Sequence, residues 1–123
     1  MDFLEYAQHH TWCRIQCSPI HGVGVFAIKD IPEHTNLFPD CIDNFNPHPI
    51  SSLRVLPDSV QKMCMDYFYH DERNIFLPQK TLNQINISFL LNFSENPNCI
   101  HNEGVILSAR NITSGEELTH SYE

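Results

Sequence analysis

Asn92-Phe93-Ser94-Glu95-Asn96-Pro97-Asn98-Cys99 is the least ordinary stretch of this sequence. It is dense in turn formers and amides, and it follows directly on the apolar residues 89–91. Polar groups that come straight after a buried segment must find partners. Asn92 and Asn98 are therefore candidates to set a loop's geometry or to bind the polar edge of a ligand. By itself the stretch also reads as a surface loop with an Asx turn.

On its C-terminal side, Ile100 and residues 105–108 look like short strands, and residues 117–122 form a last one. On its N-terminal side, residues 81–91 are ambiguous between a strand and a short helix, and residues 74–78 look β-like. Val60, Met63, Cys64, Tyr67 and Phe68 recur at helical spacing, so residues 58–69 are the best helix in the chain, with Asp58 as its N-cap. Residues 39–57 are punctuated by Pro39, Pro47, Pro49 and Pro57 and read as loop. Residues 36–38 open a strand, residues 30–35 form a turn, and residues 21–27 form a glycine-bearing turn that runs into an apolar strand. Residues 12–18 alternate Trp12, Arg14 and Gln16 with Cys13, Ile15 and Cys17, which is a strand pattern. Residues 1–11 form an arm or short helix that Phe3, Leu4 and Tyr6 are expected to pack down.

One pattern occurs twice. Asp30-Ile31-x-x-His34-x-x-Leu37 matches Asn111-Ile112-x-x-Gly115-x-x-Leu118. Each reads as a strand ending in a turn that feeds another strand, and the third anchor is His or Gly, residues that tolerate positive φ.

The 123 residues are 41% hydrophobic and 18% charged, an ordinary globular composition that fits one domain. The formal charge of −8 argues against direct nucleic-acid binding, which needs a basic surface, and suits a basic, lysine-containing protein or peptide. No apolar run is long enough to span a membrane. Residues 1–8 contain Asp2 and Glu5 and no basic run, so no secretory signal is expected. Five cysteines, an odd number, with no CxxC pair suggest reduced thiols inside a cell. His9, Cys13, Cys17 and His21 would line one face of a helix, but the strand reading of residues 12–18 holds the two histidines too far apart to share an ion. No metal is expected.

Two further stretches bear on chemistry. His21-Gly22-Val23-Gly24-Val25-Phe26-Ala27 holds a GxG without the third glycine or following helix of a dinucleotide fingerprint. Its glycines would let main chain approach a ligand closely. Gly115-Glu116-Glu117-Leu118-Thr119-His120-Ser121-Tyr122 closes the sequence on a strand.

In this order the three stretches resemble the SET-domain family of protein lysine methyltransferases. The family's opening motif looks like residues 18–27. Its Asn-His-Ser-x-x-Pro-Asn motif is similar to residues 92–98, with Asn86 matching a further asparagine. Its closing Gly-Glu-Glu-Leu-Thr-x-x-Tyr is similar to residues 115–122. The resemblance implies a mainly β fold with short helices, a SET-type β-clip of several small sheets with a C-terminal pseudoknot. It implies a single SET domain over residues 1–123, with residues 39–72 as a variable insert carrying one helix. It implies S-adenosylmethionine as cofactor, held by Gly22, Val23, Gly24 and Val25 at its methionine end and by Asn92 and Phe93 at its adenine and ribose side. Tyr122 matches the tyrosine at the junction of cofactor and lysine channel, the catalytic position. Tyr67 and Tyr69 are candidates for further channel aromatics.

The implied reaction is attack by a neutral lysine amine on a sulfonium methyl, with a histone among the candidate substrates and a cytoplasmic location, or a nuclear one if the target is chromatin. The sequence departs from the family at Phe93, where histidine is usual, at Phe89, where arginine is common, and at His34, where a turn glycine is common. The sequence given ends one residue after Tyr122, so the expectation is a minimal domain without a post-SET segment. Its channel is then open on one side, closed by residues 1–10, or closed by a second subunit in a homodimer. The alternative to a methyltransferase is a catalytically weak SET-like module that binds a lysine-containing peptide or the cofactor. A hydrolase using Cys99 with His101 has only their nearness in sequence behind it.

Overall fold

Short strands and tight turns dominate the computed structural model, which describes residues 2–39, 45–79, 81–83 and 85–121. Contacts divide the chain into two units, Met1–Cys41 with Leu90–Glu123, and Ile42–Phe89. Among the described residues no helix is long and apolar enough to cross a membrane.

The first unit begins with helix α1, Phe3–His10, capped by Asp2, whose carboxylate accepts from the Glu5 N–H at 2.9 Å. Phe3 and Leu4 do not pack it down as expected; they are 81% and 75% exposed. The helix is held instead through polar ends: the Tyr6 hydroxyl donates to the Pro39 carbonyl, and Lys29 reaches the Gln8 carbonyl while lying over the Trp12 ring. Strand β1, Cys13–Cys17, pairs antiparallel with β2, Val23–Ala27, in continuous register from Cys13 opposite Ala27 to Cys17 opposite Val23. Further along come the two-residue strand β5, Asn92–Phe93, the hairpin of β6, Cys99–Asn102, with β7, Val105–Ser108, and the last strand β8, Glu117–His120. β8 lies between β2, to which it is antiparallel, and β5, to which it is parallel. The last strand among the described residues is therefore an interior strand, as the expected SET-type fold requires. Val25, Ile31, Leu37, Cys99, Ile112 and Leu118 are buried in this unit, and removing each large aliphatic side chain from water is worth about 1.5–3 kcal/mol.

The repeated sequence pattern becomes a pseudo-twofold junction. Ile31 and Ile112 exchange both main-chain hydrogen bonds, each 2.8 Å. Asp30 caps the second turn by accepting from Ser114 N–H at 2.9 Å, and Asn111 caps the first by accepting from Glu33 N–H at 2.8 Å. His34 N–H donates to the Ser108 carbonyl and Gly115 N–H to the Ala27 carbonyl, both at 2.8 Å. The third anchors both take positive φ, 64° at His34 and 95° at Gly115. Residues 36–38 do not form the expected strand; only Asn36 makes an isolated bridge, to Leu107.

The second unit corrects the reading of residues 39–57 as loop. Residues 40–44 lie outside the described residues, but Phe45–Pro49 is a strand, β3, paired antiparallel with β4, Asn74–Pro78. Its prolines misled the reading. The Ile50 N–H donates to the Arg73 carbonyl, so even-numbered residues of this ribbon turn their N–H groups toward β4. Pro47 and Pro49 sit on the odd positions, where no ladder donor is needed. A 3-10 helix, Ile50–Val55, leads into α2, Asp58–Tyr67. The N-cap is Pro57 rather than Asp58, and the helix stops before Tyr69. Leu53, Cys64, Phe68 and Ile75 form this unit's core, joined by Val60, Met65 and Phe89. Within residues 81–91 the only regular element among the described residues is a 3-10 turn, Ile87–Leu90, where Asn86 accepts from the Ser88 N–H at 2.8 Å.

The two positive-φ anchors give a paired test. An L side chain in the left-handed region costs about 1–2 kcal/mol, partly offset by the lower chain entropy of a non-glycine residue. His34→Gly is expected to leave stability unchanged or raise it by up to about 1 kcal/mol, and Gly115→Ala to lower it by about 1–2 kcal/mol. Urea unfolding of both variants reads the difference.

Candidate active site

The three stretches singled out in the sequence meet at one carboxylate. Glu117, the first residue of β8, accepts from the Ser18 hydroxyl at 2.7 and 2.9 Å and from the Asn92 side-chain amide at 2.8 Å. The Asn92 nitrogen also lies 3.1 Å from Ser18 Oγ, 3.2 Å from the His21 carbonyl and 3.1 Å from the Val23 carbonyl. Ser18 Oγ in turn accepts from the Ile20 N–H at 3.0 Å. One amide and one carboxylate thus hold the whole turn from Ser18 to Val23, with 74 and 99 positions of sequence separating Ser18 from Asn92 and from Glu117.

The two glycines of the GxG play different parts. Gly24 is buried, and a Cβ there would collide with the Glu117 carboxylate and lie 3.1 Å from the Asn92 amide nitrogen. Its missing side chain makes room for the protein's own polar junction. Gly22 has φ 48° and nothing within 4 Å of where a Cβ would project. Gly22 is exposed, and its carbonyl accepts from the Ser18 N–H at 2.9 Å. Val23 beside it is 44% exposed, whereas Val25 is fully buried opposite Leu118 and anchors the strand.

Asn98 ties the other side of β8. Its side-chain carbonyl accepts from the Thr119 N–H at 2.8 Å and its amide donates to the Glu117 carbonyl at 2.9 Å. The side chain satisfies the strand as a neighbouring peptide would. Phe93 sits opposite His120 in the β5–β8 pair and is 52% exposed, and the Ser94 N–H donates to the His120 carbonyl at 3.0 Å. His120 is buried, and its Nδ1 lies 3.0 Å from Nε2 of His101. Burial first, and then the neighbouring His101, push the His120 imidazole down to about 4. Burial alone lowers His101. Cys99 is 1% exposed, and burial pushes its thiol up to about 12, which leaves it no thiolate to act as a nucleophile at neutral pH.

A family model for the SET domain matches residues 22–123. The chain belongs to the SET-domain family. Its fold is also that of a solved structure, a proposed histone methyltransferase of Plasmodium falciparum (PFL0690c), at TM-score 0.59 and 20% identity over 92% of this chain and 94% of that one. A comparison with curated protein sequences finds no match.

Of the SET residues expected from the sequence, Gly22, Val23, Gly24, Val25 and Asn92 come together around the Glu117 junction, with Phe93 next to Asn92 on β5. Tyr122 lies outside the described residues. Tyr67 and Tyr69 belong to the second unit; Tyr67 ends α2, and Tyr69 stacks on Phe76 with ring centroids 5.6 Å apart. Sequence reasoning passed over Ser18 and Glu117 as individual residues although both stand inside the quoted motifs. It also passed over the His101–His120 pair. Gly24, inside the apolar strand expected over residues 21–27, was the available signal for Glu117: a strand glycine often marks close approach of another group.

Two outcomes follow from this geometry. Gly24→Ala is expected to lower stability by about 1–3 kcal/mol, as overpacking does, and to open the junction, read by thermal melting with loss of slow exchange at the Asn92 side-chain amide. Acid is the second lever. The folded-state pKa of His120 lies below its unfolded value, so protonation favours the unfolded chain, and two protonated rings would set donor against donor. Stability is full above about pH 6.5 and declines as pH falls toward about 4, by up to about 3 kcal/mol. His120→Gln should flatten that decline in urea unfolding followed from pH 7 to 4.

Proposed function

We propose that this chain transfers a methyl group from S-adenosylmethionine to the side-chain amine of a lysine in a protein, with histones among the candidate substrates. The observation that carries the reading is the junction of Ser18, Asn92 and Glu117. It joins the SET family's three motif segments and braces a turn that is exposed at Gly22 and Val23 and bare of side chain at Gly22. The fit to the cofactor rests on that bareness. A ligand gripped mainly through its amino-acid end needs peptide groups it can reach, and no side chain stands over Gly22.

When bound, the cofactor supplies a methyl group activated by its positive sulfonium. The turn at Gly22–Val23 binds its methionine end, and Asn92 serves by fixing that turn, since its amide nitrogen is turned to protein acceptors. Phe93 offers a flat apolar face on the adenine side, in place of the family's usual histidine. Tyr122 orients the incoming amine with its hydroxyl. A phenol titrating near pH ~10 is a poor base at neutral pH, so its part is positioning. The lysine must arrive neutral, against a reference pKa of about 10.4. Desolvation in an apolar channel disfavours the ammonium, and a nearby cation does the same. Holding nitrogen and methyl in line accounts for the remaining gain.

The net charge of −8 supports a basic partner. Cys17, Cys64 and Cys99 are free thiols, which supports a reducing location in the cytoplasm or, for a chromatin target, the nucleus.

Incubation with methyl-labelled S-adenosylmethionine and a panel of lysine-rich proteins, histones included, tests the reading. Label on lysine is expected, and Tyr122→Phe should lower the rate at least tenfold or shift the methylation state. Cofactor binding in calorimetry without transfer to any protein would leave a binding module. No cofactor binding at all would remove the enzyme.

A further inference from the structure

Glu117 has no ion-pair partner among the described residues. Its hydrogen-bond partners in the structure are a serine hydroxyl and an asparagine amide, both neutral. Among the described residues no lysine, arginine or histidine forms an ion pair with it, although the neighbouring Glu116 is paired with Arg110 at 2.9 Å. The carboxylate is half-buried, and it fills the space of the absent Gly24 side chain, two residues after the exposed Gly22. A half-buried carboxylate without an ion-pair partner is a source of negative potential, and the turn it braces lies beside it.

We infer that Glu117 is a specificity-determining residue: its uncompensated carboxylate makes the Gly22–Val23 turn prefer the cationic methyl donor over the neutral thioether that remains after transfer. This rests on the proposed reading of the turn as the cofactor's seat. Hydrogen bonds from the turn recognise the amino-acid end, which donor and product share, and so cannot tell them apart. A fixed negative charge can, because the two differ by one positive charge at sulfur. At an effective dielectric between that of water and a protein interior, such a difference is worth on the order of tenfold in affinity. The product is then released more readily than the donor, which keeps turnover going when product accumulates. Ser18 and Asn92 belong to the same device, since they hold the carboxylate in place without neutralising it.

The test is calorimetric and needs no turnover. Three ligands are titrated into the full chain: S-adenosylmethionine, its neutral demethylated thioether, and an analogue carrying an amine in place of the S-methyl group. The wild-type chain is expected to bind both cationic ligands about tenfold tighter than the thioether. Glu117→Gln keeps the size and one acceptor and should bring the three affinities together. Ser18→Ala keeps the charge and loosens the turn, so it should weaken all three while preserving their ratio; a bracing role for Glu117 without a charge role predicts that same pattern for Glu117→Gln. Thermal melting establishes that each variant is folded. Equal affinities in the wild-type chain overturn the inference without any variant, as does a ratio preserved in folded Glu117→Gln, and both leave the methyltransferase reading standing. Failure of the wild-type chain to bind any of the three removes that reading and the inference together.

Discussion

Much of the first unit depends on a carboxylate standing where a side chain is missing. Glu117 projects from the start of β8 into the space over Gly24, and from there it accepts from Ser18 and Asn92. An unpaired polar group in such a place costs about 1–3 kcal/mol, so the three side chains are interdependent: losing one strands the others. The arrangement joins the turn after β1, the short strand β5 and the final strand β8. None of these would be held by propensity. β5 is two residues long, and the turn is irregular. Their geometry is set by side-chain hydrogen bonds that replace the missing ladder.

Around that junction the rest of the unit is arranged to keep β8 in an interior position. The pseudo-twofold pairing of residues 30–35 with residues 111–116 brings β8 in next to β2, through the reciprocal bonds of Ile31 with Ile112 and of Ala27 with Gly115 and Glu116. Asn98 then closes the far side by bonding both the Glu117 carbonyl and the Thr119 N–H. A strand inserted between a parallel and an antiparallel neighbour has few alternative registers, because a slip of one residue would turn Leu118 out of the core and Glu117 away from Gly24. The constraint that buries the core is also the one that places the polar junction.

Much of the candidate site is main chain, and peptide groups at a turn are the same whatever side chains surround them, provided that the residues bracing the turn remain. The same reasoning accommodates Phe93 in place of histidine at a position paired through its backbone to His120. It also separates Cys99 from any chemistry: the thiol is buried and its pKa raised, so the residue serves packing.

The amino-acid sequence by itself determined the family, the order of most strands and the identity of the turn anchors. Motifs such as residues 92–98 carry their own turn chemistry, and period-two alternation in residues 13–17 is a local property. Positive φ at His34 and Gly115 was legible for the same reason. The tertiary structure alone decided what those pieces are for. Pro47 and Pro49 suggest a loop until the register with β4 places them where no donor is required. Phe3 and Leu4 look like packing residues until the helix is seen to be held by Tyr6 and Lys29. Gly24 looks like room for a ligand until Glu117, 93 positions later in the chain, is found filling it. No local pattern reports a contact between residues so far apart, because what brings them together is the burial of Val25 against Leu118, a free energy that belongs to the folded core and to no single segment.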